Sequence, residues 1–210
     1  MKVDNLGLTK EELRVLRKLK TPIKIQDFLD TFPFNHEEDG ETYRAPRYAL
    51  KSGKLHCLEG TLLAGLALWL NGQEPLLMDL KAPGDQDHVV TLYRYNGHWG
   101  AISKTNHAVL RFRDPVYKTL RELALSYFHE YFDNKTGKKM LISYSKPLNL
   151  KKLNINWVTT EENLDKLAQQ MDDLPHYRLY PPKNRQFIRP ADKMERQAGA
   201  IIEWPKNKSK

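Results

Sequence analysis

Apolar positions recur along the chain first at helical spacing, then in one nearly unbroken run, then with strand-like alternation, which predicts helices followed by a sheet. Thr9 and Glu12 form a capping box, Leu8 and Leu13 stand at staple positions, and Leu13, Leu16 and Leu19 give a first helix its apolar stripe to about Lys18. Thr21-Pro22 opens a second helix with Pro at its first position, and Ile25, Phe28, Leu29 and Phe32 recur until Pro33 closes it. Residues 33–54 read as a long loop holding Asn35, the acidic run Glu37-Glu38-Asp39, Gly40, Tyr43, Pro46 and Gly53, and a stretch of this kind inside a compact domain is often functional. His56 to Leu70, HCLEGTLLAGLALWL, is apolar on almost every face, which predicts a helix buried in the centre of the domain and stopped at Gly72.

Strands follow. Pro75 to Leu80 is a short one, Ala82 to Asp87 a polar loop, and His88 to Tyr95 a longer strand. Asn96-Gly97 favours a two-residue type I′ turn, with Trp99 to about Lys104 returning, so paired positions sum to 193. Val109 to Arg113 predicts a further strand, leading through Asp114-Pro115 into a helix with Leu120, Leu123, Tyr127, Phe128 and Tyr131 on one side. Met140 to Tyr144 suggests an edge strand, and Thr159 with Glu162 caps a last helix carrying Leu164, Leu167, Ala168 and Met171. The remainder, with Pro175, Pro181, Pro182, Pro190 and Pro205, reads as an arm. Helices first and then an antiparallel sheet flanked by helices argue for an α+β fold, a central buried helix packed on the sheet. The division expected is residues 1–150 as the main domain and 151–210 as a C-terminal helix and basic, Pro-containing arm packed on or trailing from it.

Composition narrows the class. With 210 residues, 40% hydrophobic and 29% charged, the chain suits a soluble globular protein, and its apolar runs fall short of the roughly 20 residues a bilayer span needs. The net charge of +8 is concentrated at the end: residues 183–210 carry eight Lys or Arg against three acidic residues. That arm is the only feature suited to nucleic acid, so nucleic acid is not the expected partner, nor is a membrane. A single cysteine, Cys57, excludes an intrachain disulfide or a multi-thiolate zinc site and fits a cytoplasmic setting.

Cys57 stands at the start of the central helix, where unsatisfied N–H groups and the positive end of the dipole favour a thiolate. Set against this, most free cysteines are small buried apolar residues. A nucleophilic thiol needs a base, and His88, at the start of a strand, is the candidate. His107 is its rival, and His56 abuts the cysteine but is expected to point elsewhere around the helix. The register places His88 opposite Thr105, so an orienting group should lie near 103–107. Asn106 has the chemistry if the strand bulges or ends near Thr105, and Ser103 serves if the strand stays regular. Asp114 is the carboxylate alternative, although an N-cap role explains it without catalysis. A metal site from His56, Cys57, Glu59 and His88 lacks zinc-ligand spacing, so no metal or other cofactor is expected.

The order of Cys at a buried helix start, His-Val-Val opening a strand, a Gly turn, Trp99-Gly100-Ala101-Ile102 and Lys104-Thr105-Asn106 resembles the papain-like and transglutaminase-like cysteine superfamily. It is similar in particular to bacterial transglutaminase-like proteins of unassigned substrate, over residues 55 to about 115. The resemblance implies Cys57 as nucleophile, His88 as general base and acid, and Asn106 or, on the transglutaminase pattern, Asp114 as orienting residue. Residues 47–56 lack the Gln that precedes the cysteine in papain-like enzymes, which leaves the Cys57 N–H with Gln26, Asn35 or Tyr43 as oxyanion candidates. The expected function is cysteine-dependent acyl transfer on an amide or ester of a peptide, protein or small molecule, through a thioester. The alternative from another class is a catalytically silent domain of the same fold that binds a peptide or protein.

Overall fold

The structure, a computed structural model, describes residues 6–38, 40–84 and 87–203, so Asp39 of the acidic run, Asp85 and Gln86 of the polar loop, and residues 204–210 of the basic arm lie outside the described residues. Seven α-helices are described: α1 (Lys10–Lys18), α2 (Pro22–Asp30), α3 (Pro46–Ser52), α4 (Cys57–Leu70), α5 (Leu120–Phe128), α6 (Asp165–Asp172) and α7 (Lys193–Gly199). The strands are β1 (Leu76–Lys81), β2 (His88–Tyr95), β3 (His98–Ile102), β4 (Arg113–Tyr117), β5 (Ser143–Ser145), β6 (Leu148–Asn149) and β7 (His176–Arg178). They form one antiparallel sheet in the order β4-β3-β2-β1-β5-β7, with β6 also paired to β1.

Alternation along the strands explains the two-sided core. Leu77, Val89, Tyr93 and Ile102 face α4 and the other N-terminal helices, while Met78, Leu80, Val90, Leu92 and Ala101 face α5. Between the sheet and those helices, α4 has no solvated face: Leu62, Leu63, Ala64, Leu66 and Ala67 are all buried, as its uniformly apolar sequence requires. The fold is therefore α+β, with a central buried helix on an antiparallel sheet. The chain beyond residue 150 belongs to the same core, since Trp157 stacks on Trp69 of α4 at 6.1 Å and Val158, Leu167 and Met171 join the α4 side.

The capping boxes of α1 and the N1 proline of α2 form as expected, and Asn96 and Gly97 adopt the positive φ values, 47° and 81°, of a type I′ turn that pairs Tyr95 with His98. Elsewhere local signals were misplaced. The 33–54 loop contains α3, whose Ala45 cap makes no side-chain hydrogen bond and so leaves no polar signature. The strand after β3 covers Arg113–Tyr117, with Pro115 inside it, so Asp114 is a strand residue and not a helix cap. α5 starts only after Thr119, which forms a capping box with Glu122, and it ends at Phe128, short of Tyr131. β5 lies between β1 and β7 and is not an edge strand, because His176–Arg178 of the C-terminal segment adds β7 outside it. α6 begins at Asp165, and Thr159 bonds Asn156 instead of capping it.

At Gly60, α4 lies close against the chain just after β3. A Cβ there would stand 2.4 Å from the Lys104 Cβ and 3.0 Å from its Cγ, atoms near the backbone of a side chain that is itself buried. Gly60→Ala is therefore expected to destabilise the fold by about 1–3 kcal/mol, read as a lowered midpoint in urea with the slope unchanged.

Candidate active site

The backbone of His56 is extended (φ −97°, ψ −174°), and Cys57 follows as the first residue of α4. Because His56 is the cap and not a helical residue, its ring turns back over the first turn instead of pointing away, which corrects the expected orientation. Its Nδ1 meets the Leu58 N–H at 3.3 Å and its Nε2 bonds the Thr42 carbonyl. The box is completed by Glu59, whose carboxylate accepts the His56 N–H at 3.2 Å. The signature H-x-x-E at 56–59 is a capping box with His in the usual Ser or Thr place, and it was legible in the sequence.

Glu59 is fully buried and surrounded by donors. Arg44 Nε stands 3.2 Å away, Thr42 Oγ1 donates at 3.2 Å and Asn35 Nδ2 at 3.4 Å. Glu37, in the left-handed region at φ 52°, places its carboxylate 3.8 Å from His56 Nε2 while accepting the Thr42 N–H at 2.7 Å. Burial alone would lower the basicity of His56, but hydrogen bonding to Cys57 and the charges of Cys57, Glu59 and Glu37 outweigh it and raise its pKa to about 9. At that value His56 is charged at neutral pH, and its protonated Nδ1 then donates to the sulfur and no longer accepts the Leu58 N–H.

Cys57 keeps partial exposure on the floor of a cleft of about 440 Å³. Burial pushes its thiol up, yet hydrogen bonds from His56 and His88 and their positive charge pull it down to about 5. His88, the first residue of β2, is buried, and its Nε2 lies 2.8 Å from Ser103 Oγ. The Ser103 hydroxyl donates its single proton to the Leu110 carbonyl at 2.7 Å, so it must accept from His88. That assigns the proton of the neutral ring to Nε2 and leaves Nδ1 as the lone pair for the thiol.

The orienting contact is therefore made by Ser103, two residues from the position opposite His88 and on the same face, and not by Asn106 or Asp114. The pairing stays regular to the end of β3, without the bulge that Asn106 required between β2 and β3. Asn106 lines the cleft with Cys57 and His88, and its carbonyl is taken by the Glu203 N–H. Asp114 is exposed on β4, beyond β3 from His88. His107 also lines the cleft, but its ring is bonded to the Gly199 carbonyl.

The three side chains expected as oxyanion donors have other partners. Gln26 donates to Asp30 and to the Ser103 carbonyl, both at 2.9 Å, and accepts the Ser103 N–H at 3.0 Å, so it fixes the residue that fixes His88. The Asn35 amide serves Thr42 and Glu59, and the Tyr43 hydroxyl donates to Glu41 at 3.2 Å while its ring packs edge-on to His56. Glu59 likewise turns its oxygens to Arg44, Thr42, Asn35 and the His56 N–H, which separates it from the metal set considered with Cys57 and His88. Among the described residues one carboxylate group could hold an ion, Asp79, Asp87 and Asp172, whose oxygens lie within 4.8 Å of one another. Lys81 Nζ stands 2.5 Å from Asp87 and 2.8 Å from Asp172, so the group carries its own cation.

No family model matches the chain, and no curated protein matches it. Among solved structures, Legionella pneumophila LapG in an EGTA-treated form is similar at a TM-score of 0.39 and 13% identity, over 80% of this chain and 83% of that one. A likeness of that size carries no argument for activity, and the functional reading rests on the chain's own residues. No helix among the described residues is long and apolar enough to cross a membrane.

Proposed function

We propose that the protein is a cysteine-dependent acyl-transfer enzyme of the transglutaminase-like and papain-like kind, with Cys57 as nucleophile and His88 as base and acid. The observation that supports it is a thiol held at about 5 at a helix start, between two imidazoles, one of which has its tautomer set by Ser103. A packing cysteine needs none of these groups. Ser103 takes the orienting role for which Asn106 and Asp114 were candidates, and His56 is the fixed cation that holds the thiolate.

The sulfur enters as the thiolate, its proton held on His88 Nδ1, and as it attacks an amide or ester carbonyl the C=O electron pair moves onto oxygen. The Cys57 N–H, at the positive end of α4, stabilises that oxyanion. Collapse breaks the bond to the leaving nitrogen or oxygen, which receives the proton from His88, and a thioester remains. Water or an amine then attacks the thioester, His88 removing its proton, and the departing sulfur is again a thiolate beside His56. The Ser103 hydroxyl keeps its proton throughout, accepting from Nε2 while Nδ1 gains and loses its own.

Iodoacetamide alkylation of Cys57 is expected to rise through about pH 5, against about 8.5 for a free cysteine. Removing a donor or cation from the thiolate raises its pKa, so His88→Ala and His56→Gln should each move that midpoint upward and slow labelling at pH 6. An inert thiol, or one indifferent to His88, would instead favour the binding-domain reading.

Ser103→Ala leaves the His88 N–H and the Leu110 carbonyl without their shared partner. It should cost about 1–3 kcal/mol in stability and release the ring to either tautomer, visible in imidazole nitrogen NMR shifts. Unchanged shifts would remove Ser103 from the site.

A further inference from the structure

The C-terminal segment runs along one wall of the cleft in the manner of an added strand. Ala108 N–H donates to the Ile201 carbonyl at 2.9 Å, Glu203 N–H donates to the Asn106 carbonyl at 2.7 Å, and His107 and Ile202 form an antiparallel bridge. The Glu203 carboxylate then reaches the Phe34 N–H at 3.0 Å. Phe34, Asn106 and His107 line the cleft that holds Cys57 and His88, so this short segment is bonded to residues on both sides of it. Behind it the Gly199 carbonyl accepts from Asn134 Nδ2 at 2.9 Å and from the His107 ring, and Asn134 also lines the cleft.

We propose that the 106–108 edge is a strand-addition site for an extended peptide with an apolar residue followed by an acidic one, and that the chain's own Ile202-Glu203 fills it as an intramolecular competitor. The inference rests on the reading of the cleft as a substrate site. Backbone pairing supplies register without sequence preference, whereas the Phe34 N–H selects the acidic side chain and the partly buried place of Ile202 the apolar one. The anchor is small. Two strand-type backbone bonds and one carboxylate bond hold residues of which Ile201 is 65% exposed and Glu203 is exposed, so a peptide from outside can compete for the seat. Tethering gives the internal segment a high effective concentration, which lowers the apparent affinity of any external peptide by the fraction of time the seat is free.

The test is fluorescence anisotropy of a dye-labelled, amidated Gly-Ala-Ile-Ile-Glu peptide with the full chain and with Glu203→Pro, which lacks both the N–H to Asn106 and the carboxylate to Phe34. The variant is expected to bind about tenfold more tightly than the native chain, with a peptide ending in Gln binding more weakly to both. Glu203→Gln, which keeps the backbone bond, should fall between and guards against a folding defect in the proline variant. Bound peptide should also slow iodoacetamide labelling of Cys57. Equal affinity for native and variant chains, absence of binding included, would overturn the proposal, as would binding that leaves the labelling rate of a reactive Cys57 unchanged. A thiol inert with and without peptide would overturn the acyl-transfer reading alone, the strand-addition site being decided by the anisotropy.

Discussion

A carboxylate sealed from water fixes the geometry around Cys57. Glu59 lies on the first turn of the most buried helix in the chain, and a charge in that position costs several kcal/mol unless donors surround it. Those donors come from the segment before the helix: Asn35, Thr42, Arg44 and the His56 N–H. The demand of one anion therefore draws Asn35, Thr42 and Arg44 over the helix start, where Glu37 stands beside His56 and the His56 ring lies by the sulfur.

A second line of constraint reaches the site from the opposite direction. Gln26 on α2 grips both backbone polar groups of Ser103, and Ser103 in turn grips His88. The next residue, Lys104, buries its ammonium on the carbonyls of Leu29 and Phe32, 3.2 and 2.5 Å away at the end of α2, and burial lowers its pKa. Its Cβ is the atom that Gly60 accommodates. Helix α2, the start of α4 and the end of β3 thus converge on two consecutive residues, and Cys57 and His88 are positioned by different elements that share this junction.

Elements with repeated apolar spacing were legible in the sequence: α1, α2, α4 and the β2–β3 hairpin all carry their pattern and their caps or turn residues. That Cys57 and His88 share a cleft was also foreshadowed, the one by its place at a helix start, the other by its place at the start of a strand, and the hairpin arithmetic put the group bonded to His88 within 103–107. What was not legible depended on partners far along the chain. Choosing Ser103 over Asn106 needs the Leu110 carbonyl that takes its proton, and the partners of Gln26, Asn35 and Tyr43 come from tertiary contacts. β7 has three residues and no alternation to announce it, and the Asp114-Pro115 pair mimics a helix start so well that the local signal favours the wrong element.

Pro115 has a consequence at the rim of the sheet. It sits in β4, an edge strand, where it contributes no N–H, and Asp114 beside it is exposed and charged. The opposite edge, β7, is short and ends in Arg178. Both edges are thereby poor templates for another molecule of the same chain, which blunts edge-to-edge aggregation. A protein that presents backbone bonding groups beside its cleft can do so without its main sheet recruiting copies of itself into fibrils.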